Sequence, residues 1–504
     1  MSDKVNDVLS LCKQRGFIFQ SSEIYGGQRS SYDYGPLGAE LKRNIANEWW
    51  RIMVHQREDI VGIDAAIMMS PDVWRTSGHV GGFSDPLVDC LNCRERFRGD
   101  KAPRHAPGTK LKYRKGGSKK GEELSALVTE RGYVCPKCGC PELSEERQFN
   151  LMFKTFMGPV DPFDSIIELT RNGLEEGLDK QAIRAQLDES LKSNIVYLRP
   201  ETAQAMFVQY LNVQQSMSMK IPFGIAQIGK SFRNEITFEH NVFRTSEFEQ
   251  MEMEYFVEPG TQSEHLEHWA NERLGWWQRY SNRPEDFRLR EHEPCELAHY
   301  ADKCYDVEYA FPWGWDELEG VASRTDYDLS KHAEATGAKL SYLDQQKPDP
   351  DTGKMGWRYT PFVIEPAAGL TRAVLVYLID AYAEEKGVDA QGEEKVRKVL
   401  KLHPRLAPIK VALLPLVKKD GLPEIAREVV TKFFAAGVNA SYDEQQSIGR
   451  RYARHDQIGT PYCLTVDHQT AEDNTVTIRD RDTTEQERIS IEDALQAVQE
   501  RLQA

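Results

Sequence analysis

Two β-rich stretches with a short polar loop between them, Phe223 to Glu235 and Phe243 to Val257, constrain this chain more than any other feature. Each reads as a strand, and the Asn, His and Thr between them make the pair an antiparallel hairpin. In a strand, residues two apart share a face. Arg233 and Glu235 therefore project together, and Phe248, Gln250, Glu252 and Glu254 share one face of the partner strand. Met251, Met253, Tyr255 and Val257 take the other. One face predicts a core. The other predicts a sheet floor carrying an arginine, several carboxylates and an aromatic ring. Burying such charges is costly unless they find partners, so a ligand over this floor is expected. Alternation by itself also fits a solvated face with cross-strand ion pairs.

The rest of the chain supplies the frame. At roughly 150 residues per domain, 504 residues predict two to four domains. The net charge of −15 argues against wholesale coating by nucleic acid, so any RNA partner must dock on local basic patches. Met1 to Phe19 is charged throughout and has no leader-like apolar segment. The longest apolar runs, Ala373–Ile379 and Val411–Val417, fall far short of the ~20 residues a spanning helix needs, so no membrane partner is expected. Glu40 to Val54 predicts an amphipathic helix, 165–193 a polar helix, Ile195–Leu198 a strand, and Leu370–Ala383 a helix buried on nearly all sides. Beyond His403-Pro404, strands at Ile409–Val417, Val438–Ser441 and Tyr462–Val466 alternate with helices at Pro423–Ala436 and Ile448–Gln457. That alternation predicts a small α/β domain with a largely parallel sheet, starting near 405. Arg450, Arg451, Arg454 and His455 cluster on its second helix, as a phosphate contact or a solvated face.

Nine cysteines, an odd number, predict reduced thiols and metal ligands, and with them a cytoplasmic location. Cys90-x-x-Cys93 and Cys135-x-x-Cys138 match a four-thiolate structural zinc site, with Cys140 as a substitute ligand. The 41 residues between the pairs mark an insertion. Cys12, Cys295, Cys304 and Cys463 are expected to be packed or incidental.

Phe232-Arg233-Asn234-Glu235, a loop, then Phe243-Arg244-x-x-Glu247-Phe248 resembles motif 2 of the class II aminoacyl-tRNA synthetases. Tyr34-Gly35-Pro36-Leu37-Gly38 resembles motif 1, and Gly369-Leu370-Thr371-Arg372 resembles motif 3. Phe248-Glu249-Gln250-Met251-Glu252 is similar to the form motif 2 takes in the glycyl family. So are Arg199-Pro200-Glu201-Thr202-Ala203-Gln204, Ala322-Ser323-Arg324-Thr325-Asp326 and Glu365-Pro366-Ala367-Ala368-Gly369. These segments occur in the family's order over most of the chain. Residues 405–504 resemble the anticodon-binding domain shared by the glycyl, prolyl, threonyl and histidyl enzymes.

The resemblance implies an α+β chain in four parts: 1–88 with motif 1, a zinc-binding insertion at 89–145, 146–404 with motifs 2 and 3, and 405–504. It implies ligation of glycine to tRNA(Gly) through a glycyl-adenylate, with ATP as substrate, Mg2+ and a structural Zn2+. Motif 1 implies a homodimer. Two anions must meet in the first step, so cationic donors are required. Arg233 is expected on the α-phosphate, Arg372 on the γ-phosphate, and Glu235 beside them as the third catalytic residue. Phe248 would stack on adenine, and Glu317 would contribute to Mg2+. Asn234, Phe243, Arg244, Leu318, Gly369, Leu370 and Thr371 complete the expected ATP site. The expected glycine site is Arg98, Glu201, Phe248, Glu249, Gln250, Met251, Glu252, Arg324, Glu365, Ala367 and Gly369. Its acids would take the ammonium group and exclude a Cβ, while Arg324 would take the carboxylate. Ala367 stands where the family commonly has Ser. The basic run Lys110, Lys112, Arg114, Lys115, Lys119 and Lys120 is expected either to touch the tRNA acceptor end or to be solvated.

Three rival readings share parts of this pattern. A prolyl or threonyl enzyme would share motif 2 but not Phe248-Glu249-Gln250-Met251-Glu252 with Arg199-Pro200-Glu201. A non-catalytic relative can dispense with Arg233 and Arg372, and both are present. A zinc-dependent nucleic-acid regulator leaves the acid-lined hairpin without a purpose.

Overall fold

The computed structural model describes residues 2–28, 30–105, 122–159, 161–192, 194–238, 240–298, 300–388 and 394–503. The basic run at 110–120 lies outside these residues. The hairpin forms the middle of a seven-stranded sheet. Its strands are β1 (Ile60–Gly62), β2 (Phe223–Phe232), β3 (Glu247–Val257), β4 (Phe287–Glu291), β5 (Lys303–Phe311), β6 (Gly314–Thr325) and β7 (Phe362–Gly369). They lie in the order β4-β5-β6-β7-β3-β2-β1, and only β1 with β2 is parallel.

The hairpin strands are shorter than the sequence suggests. β2 ends at Phe232, and β3 begins at Glu247. His240 and Asn241 take left-handed backbone (φ 52° and 60°), residue types that tolerate it, and the extended run is broken there. Arg233 and Glu235 therefore leave the strand, and their common direction comes from the loop rather than from alternation.

Alternation holds within β3. Met251, Met253, Tyr255 and Val257 enter the main core, where α1 (Pro36–Trp50), α2 (Gln262–Arg279) and α3 (Leu370–Ala381) cover that face. Helix α1 supplies Leu41, Ile45 and Trp49 at four-residue spacing, one stripe of a helix. Helix α3 is buried nearly all round, as its composition predicts. It stops at Ala381 because Tyr382–Val388 turns into a hairpin with Glu394–Leu400, which takes Glu384 out of the helix. On the second face of the sheet, helix Ala203–Ser216 packs Ala203, Met206, Phe207 and Tyr210 over Phe223, Ile225, Phe256 and Val363. It covers only one end of that face.

The polar segment 165–193 is two helices, Pro162–Glu175 and Lys180–Leu191. Gly177 (φ +74°) ends the first, and the Asp179 side chain caps the second by accepting from Gln181 N and Ala182 N.

The last hundred residues fold on a second sheet of β8 (Val411–Pro415), β9 (Ala440–Tyr442), β10 (Tyr462–Val466), β11 (Thr475–Asp480) and β12 (Gln486–Ser490). The order is β9-β8-β10-β11-β12. β8 is parallel to β9 and β10, but β10–β11 and β11–β12 are antiparallel. The sheet is thus mixed, not largely parallel: the connections after β10, residues 467–474 with the short helix His468–Asp473 and then 481–485, are shorter than the dozen or so residues a crossover needs. Helices α4 (Leu422–Ala435) and α5 (Ile448–Ile458) provide the two crossovers that do occur.

The basic cluster on α5 is split by the helical period. Arg451 and His455 are buried, 3 % exposed each. Arg451 donates to the carbonyls of Pro415 (2.6 Å), Leu416 (3.2 Å) and Asp443 (3.2 Å), and His455 bonds Thr460 Oγ1 (3.2 Å). Burial pushes His455 down to about 4, so it carries no charge at neutral pH. Only Arg450 and Arg454 face outward. Among the described residues no helix is long and apolar enough to cross a membrane.

Candidate active site

The uncovered end of the second sheet face is a cavity of about 280 Å³. β3 lends it Phe248, Gln250 and Glu252 at alternate positions, and β7 pairs Gly369 with Gln250 and Ala367 with Glu252. A bulge opposes Val307 and Glu308 of β5 to Glu319 and Glu317 of β6, leaving Leu318 as the extra residue. The bulge re-aims β6. Glu317 and Leu318 both reach the cavity, while Glu319 turns into the core to pair with Arg273 (2.6 Å).

Three guanidiniums converge on one wall. Arg233 N donates to Ser246 O (2.9 Å) across the hairpin, and its Nε donates to Pro200 O (3.1 Å). Its guanidinium sits between Phe83 and Phe248, 5.4 and 5.3 Å from the ring centres. Arg372, in the first turn of α3, lies 4.6 Å from the Phe243 ring centre and donates to Glu317 O (2.9 Å). Its Nη1 is 3.4 Å from Glu317 Oε1, and Arg244 stands 3.8 Å from Glu235. Glu317 keeps its side chain 48 % exposed, and against the partial loss of water around it the charges of Arg372, Arg233 and Arg244 hold its carboxyl below the ordinary range. A wall of this kind suits a polyanion.

A group of acids shares the cavity. Glu201, Glu252 and Glu365 line the cavity. Glu252 accepts from Thr202 N (3.0 Å) and from the Thr202 hydroxyl. Burial, then the Glu201 charge, pushes Glu252 up to about 7, and burial pushes Glu365 up to about 8. Glu201 goes the other way. Burial opposes ionisation there, yet the His79 charge and hydrogen bond, then Arg324 and Gln204, hold it well below the carboxylate range. Behind them Glu254 is wholly buried, neither oxygen has a hydrogen-bond partner, and burial raises its carboxyl far above normal. Acids sharing a site this way cannot all ionise until a cation joins them.

Several expected site residues stand elsewhere. Glu249 and Met251 alternate onto the opposite face of β3, Glu249 paired with Lys42 and Met251 in the core. Leu370 is also a core residue, and Asn234 donates its backbone N–H to Leu151 O (2.8 Å) without lining the cavity. Arg98 is engaged by Asp85 and Asp100, each at 2.7 Å. Arg324 lies behind the cavity wall, 2 % exposed, held by Asp328 (2.8 and 3.1 Å) and Glu365 (2.8 Å). It is committed to protein acids rather than presented to a ligand. The remaining expected residues, Phe243, Gly369 and Thr371 among them, do line the cavity.

Other lining residues carry no sequence signal: Thr245, His292, Tyr300, Cys304, Asp306 and Gly320. Cys304 is a wall residue rather than an incidental one. It shares a strand face with Asp306, whose carboxylate lies 2.7 Å from His292 Nε2 and accepts from Arg290 Nη2 (3.1 Å).

A second constellation joins residues 90–93 to 135–138. The thiols of Cys90, Cys93, Cys135 and Cys138 all fall within 4.8 Å of one another. Cys90 and Cys138 sulfurs are 3.6 Å apart, and those of Cys93 and Cys135 are 3.7 Å apart. A tetrahedron with ~2.3 Å metal–sulfur bonds places its sulfurs about 3.8 Å apart, so the four residues fit a zinc ion. Cys140 is buried beside them but is outside this group, its carbonyl accepting from Cys135 N (3.0 Å).

Residues 410–501 match the family described as the anticodon binding domain. The backbone is similar to the crystal structure of a prolyl-tRNA synthetase from Cryptosporidium parvum complexed with halofuginone and AMPPNP. The TM-score is 0.57 at 12 % identity, covering 98 % of this chain and 75 % of that one. Sequence similarity is much closer to proteins named glycine–tRNA ligase. The Treponema denticola protein is 47 % identical over 482 residues, 96 % of this chain and 93 % of its own. That of Clostridium perfringens is 46 % identical and that of Thermobifida fusca 44 %, each over 99 % of this chain and 98 % of its own. With this identity over nearly the whole length, the chain belongs to the glycine–tRNA ligase family of class II aminoacyl-tRNA synthetases.

Proposed function

We propose that this chain is the enzyme that activates glycine with ATP and transfers it to tRNA(Gly), releasing pyrophosphate and AMP. The observation that carries the reading is one cavity lined by three guanidiniums, Arg233, Arg244 and Arg372, together with the acids Glu201, Glu252 and Glu365. Arg372 holds the terminal phosphate, Arg244 steadied by Glu235 the region beside it, and Arg233 the α-phosphate that the glycine carboxylate attacks. Charge builds up between two anions in that step, and Arg233 is the donor placed to meet it. Because Arg324 is already engaged, Arg233 also takes the glycine carboxylate, while Arg324 fixes Glu365. Phe248 offers adenine a flat face. Glu201, Glu252 and Glu365 surround the ammonium and fill the space a Cβ would need, so alanine and larger amino acids are excluded. Ala367 contributes only its methyl group there.

Glu317, kept ionised by its arginines, would hold Mg2+, which neutralises phosphate charge when bound. The four thiols hold a structural zinc in the segment 89–145. Residues 1–88 and 146–404 form the catalytic part, and 405–504 bind the tRNA anticodon arm. Ile24 and Tyr25, 90 % and 88 % exposed on the loop before motif 1, are apolar surface that a second copy would cover in a homodimer.

The test is pyrophosphate exchange into ATP with glycine, alanine, serine, proline or threonine. Exchange with glycine alone is expected, and equal exchange with proline or threonine would discard the reading. For the metal, purified protein should contain one zinc per chain, lost in the Cys93→Ser, Cys138→Ser double variant. Full zinc retention in that variant would remove the assignment.

A further inference from the structure

Behind the cavity, Glu201 and Arg233 both stand outside regular elements, and Glu201 takes one anchor from the helix after it, accepting from Gln204 Nε2 (3.1 Å). Glu201 precedes the helix Ala203–Ser216, and Arg233 follows the end of β2. Both side chains meet the same short segment, Ser77 to Phe83. His79 Nε2 is 3.3 Å from Glu201 Oε2, and its Nδ1 is 2.8 Å from Ser77 Oγ. A ring that must face a carboxylate through Nε2 carries its proton there, and Ser77 at the other nitrogen fixes that orientation. One helical turn later, the Phe83 ring packs against the Arg233 guanidinium, 5.4 Å from its centre. The His79 and Phe83 rings also touch, 5.4 Å apart, and Trp74 stands edge-on to His79 at 5.5 Å.

The segment itself is tied down on both sides. Gly78, at φ +84°, makes the reversal that lets His79 follow the helix Pro71–Thr76. Asn150 Nδ2 donates to His79 O (3.2 Å) and Val80 O (3.0 Å). Leu151 N donates to Phe83 O (2.9 Å), and Leu151 O accepts from Asn234 N (2.8 Å), the residue after Arg233. Neither His79 nor Phe83 lines the cavity.

We infer that Ser77–Phe83 is a positioning strap shared by both small substrates, with His79 setting Glu201 for the ammonium group and Phe83 setting Arg233 for the phosphate. This rests on the proposed function. It predicts a separable pair of defects. In pyrophosphate exchange, His79→Ala should raise the KM for glycine about tenfold and leave that for ATP within about twofold, the scale of one lost charge-assisted hydrogen bond. Phe83→Ala should do the reverse, raising the KM for ATP or lowering kcat by about three- to tenfold, as expected for a lost cation–π contact. His79→Gln keeps an N–H donor and should recover most of the glycine affinity. Phe83→Trp keeps a ring face and should recover the ATP step.

The inference is overturned if each Ala variant raises both KM values alike, or if Gln and Trp perform no better than Ala. Should an Ala variant fail to fold, the Gln and Trp variants carry the test through the same split of KM values. They fill comparable volume, and either one losing affinity for the wrong substrate overturns the strap. No glycine-dependent exchange by the unsubstituted chain would instead overturn the proposed function, and the strap with it.

Discussion

The seven-stranded sheet and the C-terminal five-stranded sheet both gather cations, and they satisfy them in opposite ways. In the C-terminal sheet, Arg451 closes on three backbone carbonyls, and Asp456 is shared by Arg479 (2.9 Å) and Arg397 (2.8 Å). Both charges there are answered by protein groups, and neither lines the hollow this domain carries beside Ile478 and Asp480. In the seven-stranded sheet, Arg233, Arg244 and Arg372 face a cavity they share with Glu201, Glu252 and Glu365, and behind these acids Glu254 has no hydrogen bond at all. Buried charge alone therefore does not mark a site. Charge of both signs left incompletely paired around an open volume does, because the missing partners are what a ligand brings.

The largest effect that tests this contrast is on the open side. Arg372→Ala should cost at least ~3 kcal/mol of transition-state stabilisation, read as a loss of more than about a hundredfold in kcat/KM for exchange. The side chain also donates to the carbonyls of Glu317 (2.9 Å) and Phe243 (3.3 Å), so melting should fall modestly while activity collapses. A variant that melts early but exchanges normally would mean that Arg372 is structural, and the contrast would fail.

The closed side predicts the opposite pattern. Arg451→Ala leaves three carbonyls without a donor and should destabilise the chain by about 1–3 kcal/mol in denaturant titration. Exchange of pyrophosphate by the folded protein should be unchanged. Lost exchange with unchanged stability would mean that this helix serves the active site after all.

What the sequence could and could not reveal follows from the range of each interaction. Period two correctly separated Glu252 and Glu254 from Met251 and Met253, since alternation is local. The same period already excludes Glu249 and Met251 from the floor; only the resemblance, carried over as an unbroken string, brought them in. On α5 the helical period divides Arg450 and Arg454 from Arg451 and His455. Which pair points inward depends on β8 and on the loop at Asp443, many residues away. The strand Tyr462–Val466 and the strand Ile195–Leu198 appear at their expected bounds because both are short, β-branched or aromatic runs with clear flanks. His79, Phe83, His292 and Asp306 were silent. Their contacts join segments distant in sequence, and no spacing rule announces them.

The smallest expected effect concerns protons on the cavity's acids. Glu252 and Glu365 are raised from 4.5 to about 7 and about 8, mainly by burial, with the Glu201 charge adding to Glu252. Between about pH 4.5 and 8 the empty folded chain therefore binds more protons than the unfolded chain, and these two groups make its stability fall as pH rises through that window. Glu201 is depressed instead, so its contribution is lost only on acidification below the ordinary carboxylate range, outside the window. An entering ammonium group needs ionised partners. The KM for glycine should accordingly fall about tenfold from pH 6 to 8 as a single group near 7 ionises, and thermal stabilisation by saturating glycine should grow over the same range. A KM for glycine that stays flat across these pH values would mean the acids are already charged in the empty cavity, and the open site would then be as internally balanced as the closed one.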